Sequence, residues 1–357
     1  PMHMKAGNKL SIYKKKASQK RATRNALVQN TNLSTAPQTH YSNKGSHTTQ
    51  YEYEWVNTTS IAQTADFYKF DGNMRKLQDV NYGDVIHIKG ESTYGLQSLV
   101  DNLDNINQPF VLYTDTDVAR AIPCETNLSA ENVKKLLQSD KLLHWFTHNY
   151  DGLQESSKIS AIPLGPDFHT IAKHNAWGME KASYIEQSHQ LSLTAKEGLP
   201  TKDREVKIYY DAHLNDTDTR LRGGQKSWKE HVIFKKYPHY QFKSRREIGE
   251  MFEDKDFFIK QRGPIKRNEQ WKLKTNIAFT ISPIGVGLDC HRTWESLILG
   301  QIVIVPPGPL NELYQDLPVV IIDNWEEDIT EENLNKWFIE HNDASHRQKA
   351  REKLSFQ

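Results

Sequence analysis

The sequence predicts an α/β fold made of two halves, each with a largely parallel β-sheet. Short apolar runs that resemble buried strands alternate with amphipathic helical stretches, which is the pattern of βαβ units. A polar stretch at 194–204 separates two such sets. The chain of 357 residues is also longer than one hydrophobic core usually supports. We therefore expect a first domain over 51–200 and a second over 201–340, with a helix or tail at 341–357.

Residues 1–50 form a polar and basic segment ahead of the folded part. They hold nine basic residues and no acidic one, so the rest of the chain carries a net charge of −8 although the total is +1. With so few apolar residues, this segment cannot bury enough surface to offset the entropy of ordering. We expect a disordered, solvated tail rather than a nucleic-acid contact, with peripheral contact to an anionic membrane as an alternative.

The first half contains three predicted strands and two predicted helices. Its apolar runs predict strands at 84–88, 109–113 and 158–162. Helical spacing predicts helices at 96–106 and 130–139, the second with Ser129 as its N-cap.

The second half repeats this alternation. Strands are predicted at 206–210, 256–259, 276–282, 302–305 and 319–322. Helices are predicted at 290–299 and at 329–341, the latter with Thr330 as its N-cap.

Cysteine content and hydropathy exclude a disulfide scaffold, a four-cysteine zinc site and a membrane-spanning protein. Cys124 and Cys290 are the only cysteines, which excludes a disulfide scaffold and a four-cysteine zinc site. No apolar stretch approaches the ~20 residues of a membrane span. We expect a cytoplasmic protein without an integral membrane span.

The densest functional signal is at 282–295, where a predicted strand ends in a glycine turn and a helix begins. Such a turn directs free backbone N–H groups and the positive helix end toward one point, which favours an anion. Arg292 and the helix end would suit a diphosphate, and Glu295 would suit a ribose diol. The candidate binding residues of this block are Ser282, Gly285, Gly287, His291, Arg292 and Glu295.

The same block has a simpler interpretation. Neither the Walker spacing nor Gly-x-Gly-x-x-Gly is present. His291 and Glu295, four residues apart, would then be a local helix pair worth about 0.2–0.5 kcal/mol.

Residues 279–295, Phe-Thr-Ile-Ser-Pro-Ile-Gly-Val-Gly-Leu-Asp-Cys-His-Arg-Thr-Trp-Glu, resemble the donor-binding half of exostosin-like glycosyltransferases, as do the strand at 302–305 and the segment 317–325. The segments 145–149 and 162–170 resemble the amino-terminal half of that group. The resemblance implies a GT-B fold, in which two Rossmann-like domains face a cleft. It further implies a nucleotide-sugar donor, a glycan or glycoconjugate acceptor and no required cofactor.

An inverting transfer needs a base for the acceptor hydroxyl and positive groups for the departing diphosphate. Besides Arg292, the candidates for the positive groups are Arg222, Lys226 and Arg262. The base should come from the first half, where four candidates follow predicted strands. Neighbouring carboxylates would raise one pKa, which suits a base. The candidates for the base are Asp115, Asp117, Asp167 and His169.

The sequence also contains two candidate metal sites. Asp115-Thr116-Asp117 follows an apolar strand, as the DxD motif of metal-dependent sugar transferases does, and would bind Mn²⁺ or Mg²⁺. The two-half architecture argues against that alternative. His144 and His148 are four residues apart on what looks like a helix but lack the glutamate of a His-Glu-x-x-His site. We therefore predict a site without metal.

Two further functions remain open on the sequence. One is a non-catalytic module that binds a carbohydrate or a nucleotide. The other is a phosphosugar-transfer or epimerase-like enzyme of the same fold.

Overall fold

The computed structural model describes residues 54–70, 74–90, 92, 94–116, 121–212, 237, 239–285 and 287–355. It contains two sheets whose strands all pair in parallel, which confirms the predicted α/β class. The predicted tail lies outside the described residues. The division of the chain near residue 200 stays a prediction.

The first sheet has four strands in the order β1-β2-β3-β4. They are β1 (Val85–Lys89), β2 (Phe110–Asp115), β3 (Leu142–Thr147) and β4 (Ile159–Ala161). All six residues of β2 are buried, as expected for a strand with parallel neighbours on both sides.

The second sheet has five strands in the order β6-β5-β7-β8-β9. They are β5 (Glu205–Tyr210), β6 (Phe258–Lys260), β7 (Ile277–Ile281), β8 (Ile302–Val305) and β9 (Val319–Ile321). The chain leaves β5 toward one edge of this sheet and continues from β7 toward the other, so the connections diverge between β5 and β7.

Eleven α-helices lie in the described ranges. They are α1 (Thr58–Gln63), α2 (Gly95–Asp101), α3 (Ala130–Gln138), α4 (His169–Lys173), α5 (Tyr184–Glu197), α6 (Arg245–Met251), α7 (Arg267–Lys274), α8 (His291–Ile298), α9 (Trp325–Asp328), α10 (Glu331–His341) and α11 (Ala344–Leu354). The caps predicted at Ser129 and Thr330 are confirmed, since each hydroxyl accepts a backbone N–H of the first turn. Among these helices, none combines the length and the apolar character that crossing a bilayer requires.

Two helical regions differ from the sequence interpretation. The predicted helix at 96–106 ends at Asp101 and continues as a separate 3-10 helix, Leu103–Asn105. Helix α5 was missed, although Ser183 and Glu186 form a capping box at its start. That Ser-x-x-Glu pattern is a helix-start signal readable from sequence. The residues after it have only a weak apolar periodicity, so the sequence did not predict the helix.

The two halves contact each other through the loops at the carboxyl ends of their strands. Loops after β3 and β4 touch the loop between β7 and α8: the Leu164 N–H donates to the Asp289 carboxylate, and the Asp289 N–H donates to Asn149 Oδ1. Helix α5 packs against α7 and α8, and α11 packs against α8. The two ends of the described chain also meet, since the Val56 N–H donates to the Leu354 carbonyl over 2.7 Å.

Candidate functional site

The strand connections diverge between β5 and β7, at the carboxyl edge of the second sheet. In open α/β sheets, ligands bind outside the carboxyl ends of the strands where the strand order reverses. Asp211 directly follows β5, and the predicted glycine turn, 282–287, directly follows β7. The described residues of this turn therefore lie at the carboxyl edge of the second sheet, directly after β7, as the sequence predicted.

Arg292 pairs with Asp211 at this edge of the sheet. Its Nε lies 2.5 Å from Asp211 Oδ1, and Lys274 Nζ lies 2.6 Å from Asp211 Oδ2. Burial would raise the pKa of Asp211, but the charges of Lys274 and Arg292 lower it to about 2. The carboxylate therefore stays ionised and holds both cations in place.

This pairing corrects the expectation of an open Arg292. Arg292 is only 9% exposed, and its two terminal nitrogens lie 3.4 Å from the Cys290 sulfur and from the Asp211 carbonyl. An incoming anion would meet a guanidinium that already has protein partners. Arg292 is thus part of a buried cluster rather than a lone surface charge.

Arg245, which the sequence interpretation missed, joins Arg292 beside Cys290. It begins α6, is buried, and its Nη2 lies 4.0 Å from the Cys290 sulfur. A Cβ on Gly285 would come within 2.2 Å of that nitrogen, so a glycine is needed for the guanidinium to lie there. We call Arg245, Lys274 and Arg292, with their counterion Asp211, the cation cluster; three of its four charges are positive.

The other turn residues serve the loop itself. The Ser282 hydroxyl accepts a hydrogen bond from Thr293 Oγ1 over 2.8 Å, and the Gly285 N–H donates to the Gly287 carbonyl over 3.2 Å. Cys290 occupies the N-cap position of α8 without a side-chain capping bond. These contacts fix the turn and leave the start of α8 next to the cation cluster.

Asp289 connects the two halves through hydrogen bonds. Its carboxylate accepts the Leu164 N–H over 2.8 Å and the Trp294 indole N–H, and its own N–H donates to Asn149 Oδ1 over 2.8 Å. Burial raises the pKa of Asp289 to about 6. No basic side chain pairs with it in these contacts.

Glu295 is likewise engaged between the halves, which corrects its expected role toward a ribose. Its carboxylate pairs with Arg267, accepts the Trp271 indole N–H over 3.0 Å and accepts the Asp167 N–H over 3.1 Å. At 7% exposure it presents no open oxygen. Glu295 therefore holds the 165–169 loop against α8.

His291 also crosses to that loop. Its Nδ1 donates to the Gly165 carbonyl over 2.6 Å, so the ring lone pair is on Nε2. Burial lowers the pKa of His291, which keeps the ring neutral near pH 7. Gly165 itself has φ +73°, and a Cβ there would lie 2.0 Å from the Val56 carbonyl oxygen.

Asp167 and His169 lie together on the first-half side of this contact. Asp167 Oδ1 is 2.9 Å from His169 Nδ1, although the angle is not that of a well-formed hydrogen bond. Burial would raise the pKa of Asp167, but His169 and His291 hold it well below its usual range. The His169 side chain is 30% exposed and its ring centre lies 5.5 Å from that of His291.

Asp115 does not have the raised pKa that its neighbouring carboxylate was expected to cause. It is 2% exposed and lies 2.9 Å from His87 Nε2 and 3.0 Å from Lys89 Nζ. Burial raises the pKa of Asp115, but the hydrogen bond and charge of His87, with Lys89, lower it to about 2. Asp117 lies outside the described residues.

The predicted helical pair His144 and His148 is wrong in its geometry. His144 is on strand β3 and His148 follows it, so four residues separate them by about 13 Å. His144 Nε2 lies 2.8 Å from Ser160 Oγ, and His148 Nε2 lies 3.2 Å from the Tyr113 hydroxyl. Both are packing residues.

Of the remaining basic candidates, Arg262 alone lies in the described residues. Arg262 has an 81% exposed side chain and lies 3.4 Å from Glu253. Arg222 and Lys226 lie outside the described residues. Of the residues that the sequence interpretation missed, Asp211 had a readable signal, since it directly follows a predicted strand.

Comparisons with known proteins give only distant similarities. Neither a known protein family nor a curated protein matches the sequence. The N-terminal domain of Candida albicans trehalose-6-phosphate phosphatase is similar at 12% identity and a TM-score of 0.39, covering 84% of this chain and 72% of that one. A UDP-forming α,α-trehalose-phosphate synthase from Burkholderia xenovorans is similar at 10% identity and a TM-score of 0.34, covering 84% and 75%. Such distant similarity assigns no reaction or ligand to this chain.

Proposed function

We propose that this chain is a glycosyltransferase that transfers a sugar from a nucleotide-sugar donor to a glycan or glycoconjugate acceptor. One observation carries the proposal: Arg245 and Arg292 converge on Cys290 at the strand-order reversal of the second sheet. The resemblance of 279–295 to exostosin-like enzymes supports the same class. The reaction inverts the anomeric centre in this proposal.

The donor diphosphate binds at the cation cluster. Guanidinium groups form bidentate, charge-assisted hydrogen bonds with phosphate oxygens, and the start of α8 adds the positive end of a helix. Cys290 is only partly buried and lies between the two arginines, so a ligand that reaches Cys290 meets both. The excess positive charge stabilises the leaving group as its negative charge develops.

His169 is the base in this proposal, with Asp167 as the residue that orients it. His169 is the more exposed of the two and shares the interface with His291, the residue next to Arg292. Asp115 is less suited, because a carboxylate with a pKa of about 2 holds a proton weakly.

The proposed transfer needs only the donor, the acceptor, His169 and the cation cluster. The acceptor oxygen attacks the anomeric carbon as its proton passes to a ring nitrogen of His169. The bond between that carbon and the diphosphate oxygen breaks, and the nucleoside diphosphate leaves with the electron pair beside the cation cluster.

The donor site is tested by calorimetry with UDP and GDP on the full chain. Arg245→Ala should weaken binding of the tighter-binding nucleotide at least about 10-fold, because a charge-assisted contact of roughly 1.5–3 kcal/mol is lost. Lys272→Ala removes an exposed cation from α7 and should leave the affinity unchanged. Equal affinity in wild type and Arg245→Ala would remove the diphosphate from the cation cluster.

Catalysis is tested separately from binding. Sugar transfer from UDP- and GDP-sugars to an acceptor glycan panel should fall strongly in His169→Ala while nucleotide affinity is retained. A chain that binds the nucleotide but neither transfers nor hydrolyses its sugar would instead be a non-catalytic binding module.

A further inference from the structure

Three side chains with metal-binding atoms meet at the contact between the two halves. Asp167 and His169 lie where α4 begins in the first half, and His291 begins α8 in the second. Each offers one ligand atom within 4.8 Å of those of the other two. Across the ranges that the structure describes, no other three or more His, Cys, Asp or Glu side chains come this close.

His291 is oriented as a metal ligand would be. Metal-bound histidines almost always donate their second ring N–H to a carboxylate or a backbone carbonyl, which fixes the ring and its tautomer. The 2.6 Å bond from His291 Nδ1 to the Gly165 carbonyl supplies that contact. The free lone pair is then on Nε2.

Asp167 has a comparable support. Its Oδ1 accepts the Thr170 N–H over 3.0 Å, and its Oδ2 accepts the Thr170 hydroxyl over 2.9 Å. These bonds hold the carboxylate at the start of α4 and leave each oxygen a further lone pair. The carboxylate is therefore fixed without being used up.

The local charge favours a cation. The charge of Arg267 acts on Asp167 and lowers its pKa, but Arg267 is itself bound to the Glu295 carboxylate, which lies beside the cluster as well. In these contacts Asp167 faces only histidine rings and Thr170, with no lysine or arginine bonded to its oxygens. The 30% exposed His169 side chain leaves an entry from solvent.

We propose that Asp167, His169 and His291 form a Zn²⁺ site that bridges the two halves. Two imidazoles and one carboxylate are a donor set that zinc accepts in four-coordinate sites, with water as the fourth ligand. Magnesium and calcium prefer sets made of oxygen atoms. Zinc bonds of about 2.0–2.2 Å require the ligand atoms to approach each other, and the partly exposed His169 side chain has room to turn.

Zinc in this site opposes sugar transfer, and this consequence rests on the proposed function. Coordination takes a lone pair of His169 and fixes the ring that is needed as the base. It also ties the loop of the first half to α8, which holds the halves in one arrangement. The site is therefore inhibitory when filled.

The binding test uses the full chain freed of metal and titrated with Zn²⁺ by calorimetry, and with Co²⁺ by visible absorption. Wild type should bind one equivalent of metal. With Co²⁺, that equivalent should give the intense absorption bands of four-coordinate cobalt. His291→Asn and His169→Asn should each lose that equivalent or weaken it at least about 10-fold. His189→Asn, which changes an exposed histidine on α5, should match wild type.

His169→Asn decides the test if His291→Asn fails to fold, because the His169 side chain is 30% exposed and its replacement leaves the bond from His291 to Gly165 in place. Equal stoichiometry, affinity and cobalt spectrum in wild type and His169→Asn would overturn the site, and so would a wild type without such a bound ion. Zinc binding with inhibited transfer supports both proposals. Zinc binding by a chain that transfers no sugar without metal keeps the site and rejects the enzyme.

Discussion

Arg292 Nε lies 2.5 Å from Asp211 Oδ1, so the arginine singled out by the sequence is bound to a carboxylate 81 residues away. Lys274 Nζ holds the second oxygen of the same carboxylate at 2.6 Å. Both buried cations depend on this one carboxylate as their counterion.

Asp211→Asn should lower the free energy of unfolding by about 3–5 kcal/mol, because two buried cations lose their counterion. Urea unfolding followed by circular dichroism measures this. Glu205→Gln is the matched control: it breaks an exposed pair with Lys207 at 3.1 Å and should cost under about 1 kcal/mol. Similar losses in both variants would contradict a structural role for Asp211.

Glu295→Gln should destabilise the fold by about 3 kcal/mol or more, because Arg267 stays buried without a countercharge. A residue bound to ribose would behave differently, losing nucleotide affinity while the fold kept its stability. We expect the UDP affinity of the folded variant to change less than about 3-fold, or under 1 kcal/mol. Unfolding in urea and calorimetry together separate these outcomes; weaker UDP binding at unchanged stability would restore the ribose role.

Gly165→Ala should cost more stability than Gly83→Ala. Both glycines have positive φ, +73° and +80°, which strains alanine by about 1–2 kcal/mol. Only at Gly165 would the new Cβ also lie 2.0 Å from a backbone oxygen, that of Val56, whereas at Gly83 nothing lies within 4 Å. The midpoint of thermal unfolding should therefore fall further for Gly165→Ala; equal shifts would rule out the close approach.

Gly285→Ala should weaken UDP binding at least about 10-fold if Arg245 binds the diphosphate. The new Cβ would displace the Arg245 guanidinium, which lies 2.2 Å from its position. Gly308→Ala is the control, since a Cβ there meets nothing within 4 Å. Calorimetry on both variants should show the loss only for Gly285→Ala, and unchanged affinity would separate Arg245 from the ligand.

His148 should make the fold less stable as pH falls. Burial lowers the pKa of His148 from its ordinary 6.5 to about 4. The unfolded chain therefore binds more protons between these values, so the stabilisation is complete above pH 6.5 and is lost toward pH 4. The slope reaches at most about 1.4 kcal/mol per pH unit.

Urea unfolding at several pH values tests this prediction against His148→Asn. The difference in unfolding free energy between wild type and variant should shrink as pH falls through that window. Asp115 attracts the protonated ring, while His291, Lys89 and His87 repel it. Parallel pH profiles for the two proteins would show that His148 does not titrate in this way.

Local sequence patterns were sufficient for most of the framework. The apolar runs predicted every strand of the second sheet to within about two residues, because a buried parallel strand needs side chains that avoid water on both faces. The hydroxyls of Ser129 and Thr330 predicted two helix starts, because a cap is satisfied by N–H groups within three residues. The run through His144 was interpreted as a helix but forms strand β3, because a short apolar stretch fits a helix or a strand.

The sequence by itself determined two parallel-sheet halves and placed a glycine turn and a helix start at the carboxyl edge of the second. Only the tertiary structure decided which charges are open there. It paired Arg292 with Asp211 and Glu295 with Arg267, placed the Arg245 guanidinium against Gly285, and brought Asp167 and His291 within 4.8 Å of each other. The reason is physical: a motif fixes the position of a side chain along the chain, whereas burial and distant partners fix its charge state and its freedom to meet a ligand.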